Sequence, residues 1–245
     1  MIRVDKREPA QMRELKITPN PLRNAEGSAL IEIGGTKVLC AATLDEKAPP
    51  HLKGSGTGWL TAEYAMLPRS SAQRIPRDGM RGKVNARSQE IQRLVGRTLR
   101  SVFRMEKFGE RTMIIDCDVI EADGGTRCAS ITGGFVALAL ALRALRSRNK
   151  VGAGLLTDFA SAISVGIVEG QPVLDLCYIE DSQADVDMNL AATSAGNIIE
   201  IQGTAEKVPY NRAQLNELLD LGFLGCNQLI AAQKEILGIN DIAEL

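Results

Sequence analysis

Apolar and polar positions divide the chain into short alternating stretches and a few longer helical ones. Ala29-Leu30-Ile31-Glu32-Ile33 and Lys37 to Thr43 flank a Gly34-Gly35-Thr36 turn, the pattern of a β-hairpin. Ala48 to Gly58, with Pro49-Pro50 and three glycines, reads as a loop, and Trp59 to Leu67 as an extended run closed by Pro68. Ile91, Leu94, Val95, Thr98, Leu99 and Val102 recur at helical spacing and predict a helix from about Ser88, its N-cap, to Met105. Thr112 to Ile120 alternates as a strand and passes through a Gly-Gly turn into a second helix, about Ser130 to Arg148. That helix is apolar on almost every side, which places it at the centre of a core. Extended stretches return at Ser161–Glu169, Val173–Glu180, Asp185–Thr193 and Asn197–Thr204, and Arg212 to Leu237 forms one amphipathic helix or two. No Pro/Ser/Gly-rich linker and no repeat divides the chain. The pattern therefore predicts a single α+β domain over residues 1–245, with helices packed on a mixed or antiparallel sheet.

Composition narrows the class. At 44% hydrophobic and 24% charged residues the chain is an ordinary globular one, not disordered, collagen-like or coiled-coil. Five Cys without a CxxC pair, and one His, argue against a disulfide framework or a zinc ribbon and for reduced thiols in a cytoplasmic protein. Met1 to Arg7 lacks the apolar stretch of a secretory signal, and the longest apolar run, Phe135 to Leu142, is too short to cross a bilayer. No membrane partner is expected. His51 stands in the Pro/Gly-rich loop without a carboxylate neighbour and receives no role. Acid–base chemistry would then fall to carboxylates, Lys, a metal or the substrate itself.

Charge is unevenly spread behind a net value of −1. From Arg69 to Arg111 there are 12 basic and four acidic residues, a net +8, while the remainder carries −9. Such a concentration of Arg suggests a polyanionic partner. Arg69 to Asn85 has no apolar periodicity and reads as a cationic loop. Arg93, Arg97, Arg100 and Arg104 share one face of the helix that follows, with Glu90 its only acid.

Two constellations could do chemistry. Asp123-Gly124-Gly125-Thr126-Arg127 joins a strand to a helix; exposed amides, a helix N-terminus, a hydroxyl and a guanidinium together suit one phosphate-sized oxyanion. The same residues also suit a plain capped turn. Arg87, at the start of the arginine-striped helix, offers a second guanidinium for that anion. The other constellation is Glu180 to Asn189, where alternation puts Asp185, Asp187 and Asn189 on one face of a strand and Asp181 lies just upstream. Neighbouring carboxylates repel, so such a pair calls for a divalent cation or a raised pKa, and hard oxygen ligands near phosphate suggest Mg2+. The cysteines lie mostly in apolar segments. Cys128, beside the anion turn, would be reactive if the helix terminus lowered its pKa.

Several stretches together resemble the ribonuclease PH family, the phosphate-dependent tRNA nucleotidyltransferases. They include Arg23-Asn24-Ala25-Glu26-Gly27-Ser28, Gly58 to Tyr64, Gln89 to Arg97, Ile115 to Val119, Ala122 to Arg127, Asp181 to Asn189 and Glu200 to Glu206, in order along nearly the whole chain. The resemblance implies a ribosomal-protein-S5-domain-2-like fold and a homohexameric ring built as a trimer of dimers. It also implies phosphorolytic 3′→5′ trimming of tRNA precursors at single-stranded 3′ ends, with inorganic phosphate as co-substrate, nucleoside 5′-diphosphates as products, and nucleotide addition as the reverse reaction. The family's phosphate ligands fall on Arg87, Gly125, Thr126 and Arg127, and its acidic pair, catalytic and Mg2+-binding, on Asp181 and Asp187. Arg69, Arg74, Arg77, Arg93 and Arg97 are the candidate RNA contacts. The chain departs from the family at Lys6 (Gly in Asp-Gly-Arg), Ala86 (Gly before the Arg) and Cys128 (Thr). The competing expectation is an inactive RNA-binding scaffold subunit of an exosome-like ring; such subunits usually lose the phosphate Arg or the acidic residues, and this chain keeps both.

Overall fold

The computed structural model describes residues 3–77, 82 and 85–245. Its first sheet begins with β1 (Leu15–Pro19), β2 (Gly27–Ile33) and β3 (Thr36–Asp45), followed by β4 (Trp59–Met66). Helix α1 (Ala86–Ser101) and the short α2 (Met105–Phe108) lead into β5 (Thr112–Glu121), and the long α3 (Thr126–Ser147) follows. The second half holds β6 (Ala160–Val168), β7 (Gln171–Leu174), the one-turn α4 (Tyr178–Asp181), β8 (Val186–Thr193), β9 (Ile198–Ala205) and α5 (Arg212–Leu237). The strands form a five-stranded sheet in the order β1-β2-β3-β5-β4 and a four-stranded sheet in the order β7-β6-β8-β9. All pairings are antiparallel except β4 with β5.

Helix α3 packs between the two sheets. Ile131, Phe135 and Leu138 on it are fully buried, and each such side chain contributes about 2–3 kcal/mol on removal from water. It is the one described helix long and apolar enough to cross a membrane, and 83% of its apolar window is buried inside the fold. One continuous hydrophobic cluster runs from Ile17 on the first sheet through α3 to Leu229 on α5. Close approach to α3 explains the Gly27 of the Arg23–Ser28 stretch. A Cβ on Gly27 would lie 2.3 Å from the Ala141 amide nitrogen and 2.4 Å from the Ala137 carbonyl oxygen. Backbone cannot yield as a side chain does, so Gly27→Ala is expected to cost at least about 3 kcal/mol and lower Tm by roughly 6–12 °C. A thermal melt checks this, and an unchanged Tm would contradict the packing.

The structure revises several expected boundaries. The arginine helix starts at Ala86, two residues before Ser88, because Asn85 is its N-cap and accepts the Arg87 amide at 3.0 Å; Ser88 is buried in the first turn. It ends at Ser101, leaving Arg104 outside. Arg100 departs from the arginine face: it donates to the Leu60 carbonyl at 2.9 Å and stacks over Trp59. Val173–Glu180 is not one strand, since Asp175 takes a left-handed φ of 57° and the chain then coils into α4. The apolar helix begins at Thr126 rather than Ser130. Strand β1 escaped prediction because only Leu15 and Ile17 alternate before Pro19 ends it. The C-terminal segment is one helix, opened by an Asn211–Gln214 capping box and closed at Gly238 with φ of 62°.

Candidate active site

The strand-to-helix turn after β5 depends on glycine. Gly124 and Gly125 have φ of 78° and 67°, and a Cβ on Gly124 would fall 2.5 Å from the Leu176 carbonyl oxygen. Gly125 caps α3, so Thr126 and Arg127 stand in the first turn of a helix, where amides lack intrahelical partners and carry partial positive charge. The Thr126 hydroxyl lies 2.9 Å from the phenol oxygen of buried Tyr64 on β4. Arg127 is held by Glu90 of α1 and Gln202 of β9, which accept from its Nη1 at 3.1 and 2.7 Å. Arg87 enters from the first turn of α1 with its side chain exposed. Asp181 ends α4, and Asp187 sits on β8 between buried Val186 and Met188, which point to the opposite face.

These residues meet. Arg87, Gly125, Thr126, Arg127, Asp181 and Asp187 line one cavity of about 50 Å3, together with Ser164, Leu176 and Asn189. It has room for a few water-sized groups. A neighbouring cleft of about 870 Å3 shares Arg87, Gly125, Thr126 and Asp181 and adds Arg74, Arg77 and Tyr178. Two segments far apart in sequence, cationic and acidic, thus face one small polar space.

Two guanidinium groups and two carboxylates share the cavity. Burial pushes the Asp187 carboxyl up to about 6, reinforced by Asp181 and opposed by Arg127 and Arg87. Burial also raises Asp181, against the pull of Arg87 and Arg127. Ionising both carboxylates here is costly, and a bound cation would relieve it. Among the described residues no group of three or more His, Cys, Asp or Glu is placed to hold a metal ion. The donor set of two carboxylates beside anion-binding groups fits a hard cation that keeps much of its water.

Other expected residues sort by position. Arg74 and Arg77 line the large cleft; Arg69 is exposed but is not among the residues lining it. Arg93 and Arg97 line a separate groove of about 350 Å3 with Glu90, Glu200 and Gln202, and Arg97 pairs with Glu200 at 2.9 Å. Arg81 and Lys83, in the middle of the cationic loop, lie outside the described residues. Asp185 falls just outside its expected strand, since β8 begins at Val186, and it is not among the residues lining the cavity. The activated thiol is corrected: Cys128 is buried, burial drives its pKa far up rather than down, and its Sγ donates to Asn189 Oδ1 at 3.1 Å. Ala86 occupies the first helical position, where no positive φ is needed, so it does not hinder Arg87. Lys6 does take a left-handed φ of 64°, the conformation its glycine counterpart adopts freely. Tyr64 and Ser164 also reach the site, without a functional signal in the sequence. An aromatic on an alternating strand reads as core, and only the need of its buried hydroxyl for a partner marks Tyr64.

The chain matches the family model of the 3′ exoribonuclease family in two parts, domain 1 over residues 11–143 and domain 2 over residues 158–225. It is 54% identical over 236 residues to a Solibacter usitatus protein named Ribonuclease PH, covering 96% of this chain and 99% of that one. A Bacillus cereus protein of the same name is 55% identical over 238 residues, 97% of each chain. Among solved structures, rice (Oryza sativa) Rrp46 superposes with a TM-score of 0.77 at 21% identity, over 96% of this chain and 100% of that one. An Archaeoglobus fulgidus exosome with RNA bound to the active site gives a TM-score of 0.78 at 21% identity, over 94% and 92%. These two likenesses bear on the fold, which is of the S5-domain-2-like kind.

Proposed function

We propose a division of labour among the site residues on the premise that this chain belongs to the ribonuclease PH family of 3′ exoribonucleases. The protein is a phosphorolytic 3′→5′ exoribonuclease, a nucleotidyltransferase that trims tRNA 3′ ends. One observation supports the residue roles above others: phosphate-binding groups and two carboxylates from α1, α3, α4 and β8 line a single cavity. Arg87, Thr126, Arg127 and the turn at Gly125 hold inorganic phosphate, and the cleft with Arg74 and Arg77 receives the single-stranded 3′ end of RNA.

The chemistry then needs little from the protein beyond placement. An oxygen of hydrogen phosphate bonds to the terminal phosphorus, and the bond from that phosphorus to the preceding 3′-oxygen breaks. The attacking phosphate gives up its proton, the departing 3′-oxygen gains one, and a nucleoside 5′-diphosphate leaves. No imidazole base is required, in keeping with a single His that lies outside the site. Guanidinium groups and helix amides stabilise charge on the transferring phosphoryl group. Asp181 and Asp187 would hold Mg2+, which when bound supplies further charge neutralisation there.

Residues 1–245 act as one domain, supported by the shared core around α3. The chain assembles as a homohexameric trimer of dimers in the cytoplasm. Edge strand β9 exposes Ile198 and Ile201, a surface suited to burial between subunits. An inactive scaffold role finds less support, since every expected phosphate and acidic group is present at one site. The reverse reaction tests the proposal: with RNA, Mg2+ and a nucleoside diphosphate but no phosphate, the RNA should lengthen and release one inorganic phosphate per added nucleotide. Failure to extend, or a requirement for triphosphates, would overturn it.

A further inference from the structure

The N-terminal arm carries buried charges that the reaction does not use. Arg13 is 7% exposed and Asp175 1%. Asp175 accepts from the Arg13 amide at 2.8 Å, from its Nε at 2.9 Å and from its Nη2 at 2.7 Å. The remaining terminal nitrogen, Nη1, donates to the carbonyl oxygen of Asp123, the residue that opens the Gly124-Gly125 turn. One guanidinium therefore bonds both the phosphate turn and the segment that leads into α4. Its Nη2 lies 3.4 Å from where a Gly125 Cβ would stand, directly behind the turn.

The rest of the arm reinforces the same junction. Arg3 makes two 2.7 Å bonds to Glu180, the neighbour of Asp181, and donates to the Asp175 carbonyl at 2.9 Å. Arg7 donates to that carbonyl at 3.0 Å. From the turn side, an Asp123 carboxylate oxygen accepts the Tyr178 amide at 3.2 Å. Asp175 holds its left-handed φ of 57°, a strained choice for a non-glycine residue, inside this net. Buried ion pairs contribute little net stability, because desolvation offsets their attraction, but a fully bonded polar network fixes geometry.

We propose that Arg13, anchored by Asp175, is a positioning residue that sets the phosphate turn against the helix bearing Asp181. The proposal rests on the phosphorolytic reading of the cavity. Misplacement of a reacting group by about 1 Å can cost 10²-fold. Lysine keeps the charge at position 13 but cannot bond both Asp175 oxygens and the Asp123 carbonyl at once. Arg13→Lys should therefore raise the KM for phosphate by about 10- to 100-fold, with a smaller change in kcat and an unchanged RNA dissociation constant. Asp175→Asn, nearly isosteric, should shift the phosphate KM in the same direction and decides the matter if Arg13→Lys does not fold. A loss of kcat with an unchanged phosphate KM in both variants would reduce the network to a structural role and overturn the proposal. Wild-type protein run alongside separates the two readings. If it shows no phosphate dependence, the phosphorolytic reading fails and the proposal with it. If it is phosphate-dependent and both variants match it, only the positioning role fails.

Discussion

Asp187→Ala is expected to lower phosphorolytic turnover by about 10²- to 10⁴-fold while RNA binding stays nearly unchanged. Asp187 lines the cavity shared by Arg87, Thr126 and Arg127, where the proposed reading has bonds made and broken. On the proposed reading RNA meets the larger cleft whose cationic lining is Arg74, Arg77 and Arg87, and Asp187 is not part of that lining. The variant should also fold. Burial already raises the Asp187 pKa to about 6, so the native state carries this carboxylate at a net cost that the attraction of Arg127 and Arg87 does not offset. Single-turnover trimming beside fluorescence anisotropy of RNA binding checks both halves. Full turnover in the variant would remove Asp187 from the mechanism.

Arg87→Ala should raise the KM for phosphate by about 10²- to 10³-fold, with Tm unchanged. The arginine side chain is exposed, and α1 is capped through the Arg87 amide by Asn85, so truncating the side chain leaves the cap in place. Arg127 is the poorer test of the same idea. Its guanidinium also bonds Glu90 and Gln202 and joins three elements, so its removal would confuse binding with packing. Initial rates across a phosphate titration, with RNA saturating, give the answer. A kcat loss at constant phosphate KM would mean that Arg87 does not hold the anion.

How far the sequence revealed this site depends on the residue. The turn is readable locally, because Gly124-Gly125 between a strand and a helix leaves Thr126 and Arg127 at the helix N-terminus. Asp187 was readable too, since period-two alternation sets it opposite buried Val186 and Met188. What spacing could not provide was convergence. Arg87, Thr126, Asp181 and Asp187 come from four elements and meet only through sheet pairing and the packing of α3. Local patterns also failed where tertiary bonds override them. Asp175 interrupts an apparently continuous strand because three arginines hold it, and Arg100 leaves its helical stripe for Trp59. Cys128 illustrates a competition of effects: the helix N-terminus favours a thiolate, but complete burial outweighs it.

On the proposed reading phosphate, not water, breaks the terminal bond in this cavity. The most direct test is to incubate the purified protein with a 3′-extended tRNA, Mg2+ and 18O-labelled inorganic phosphate, and to identify the released nucleotide by mass. The released nucleoside 5′-diphosphates should carry the label in the β-phosphoryl group, with no release when phosphate is omitted. Nucleoside monophosphates formed without phosphate would show hydrolysis and contradict it.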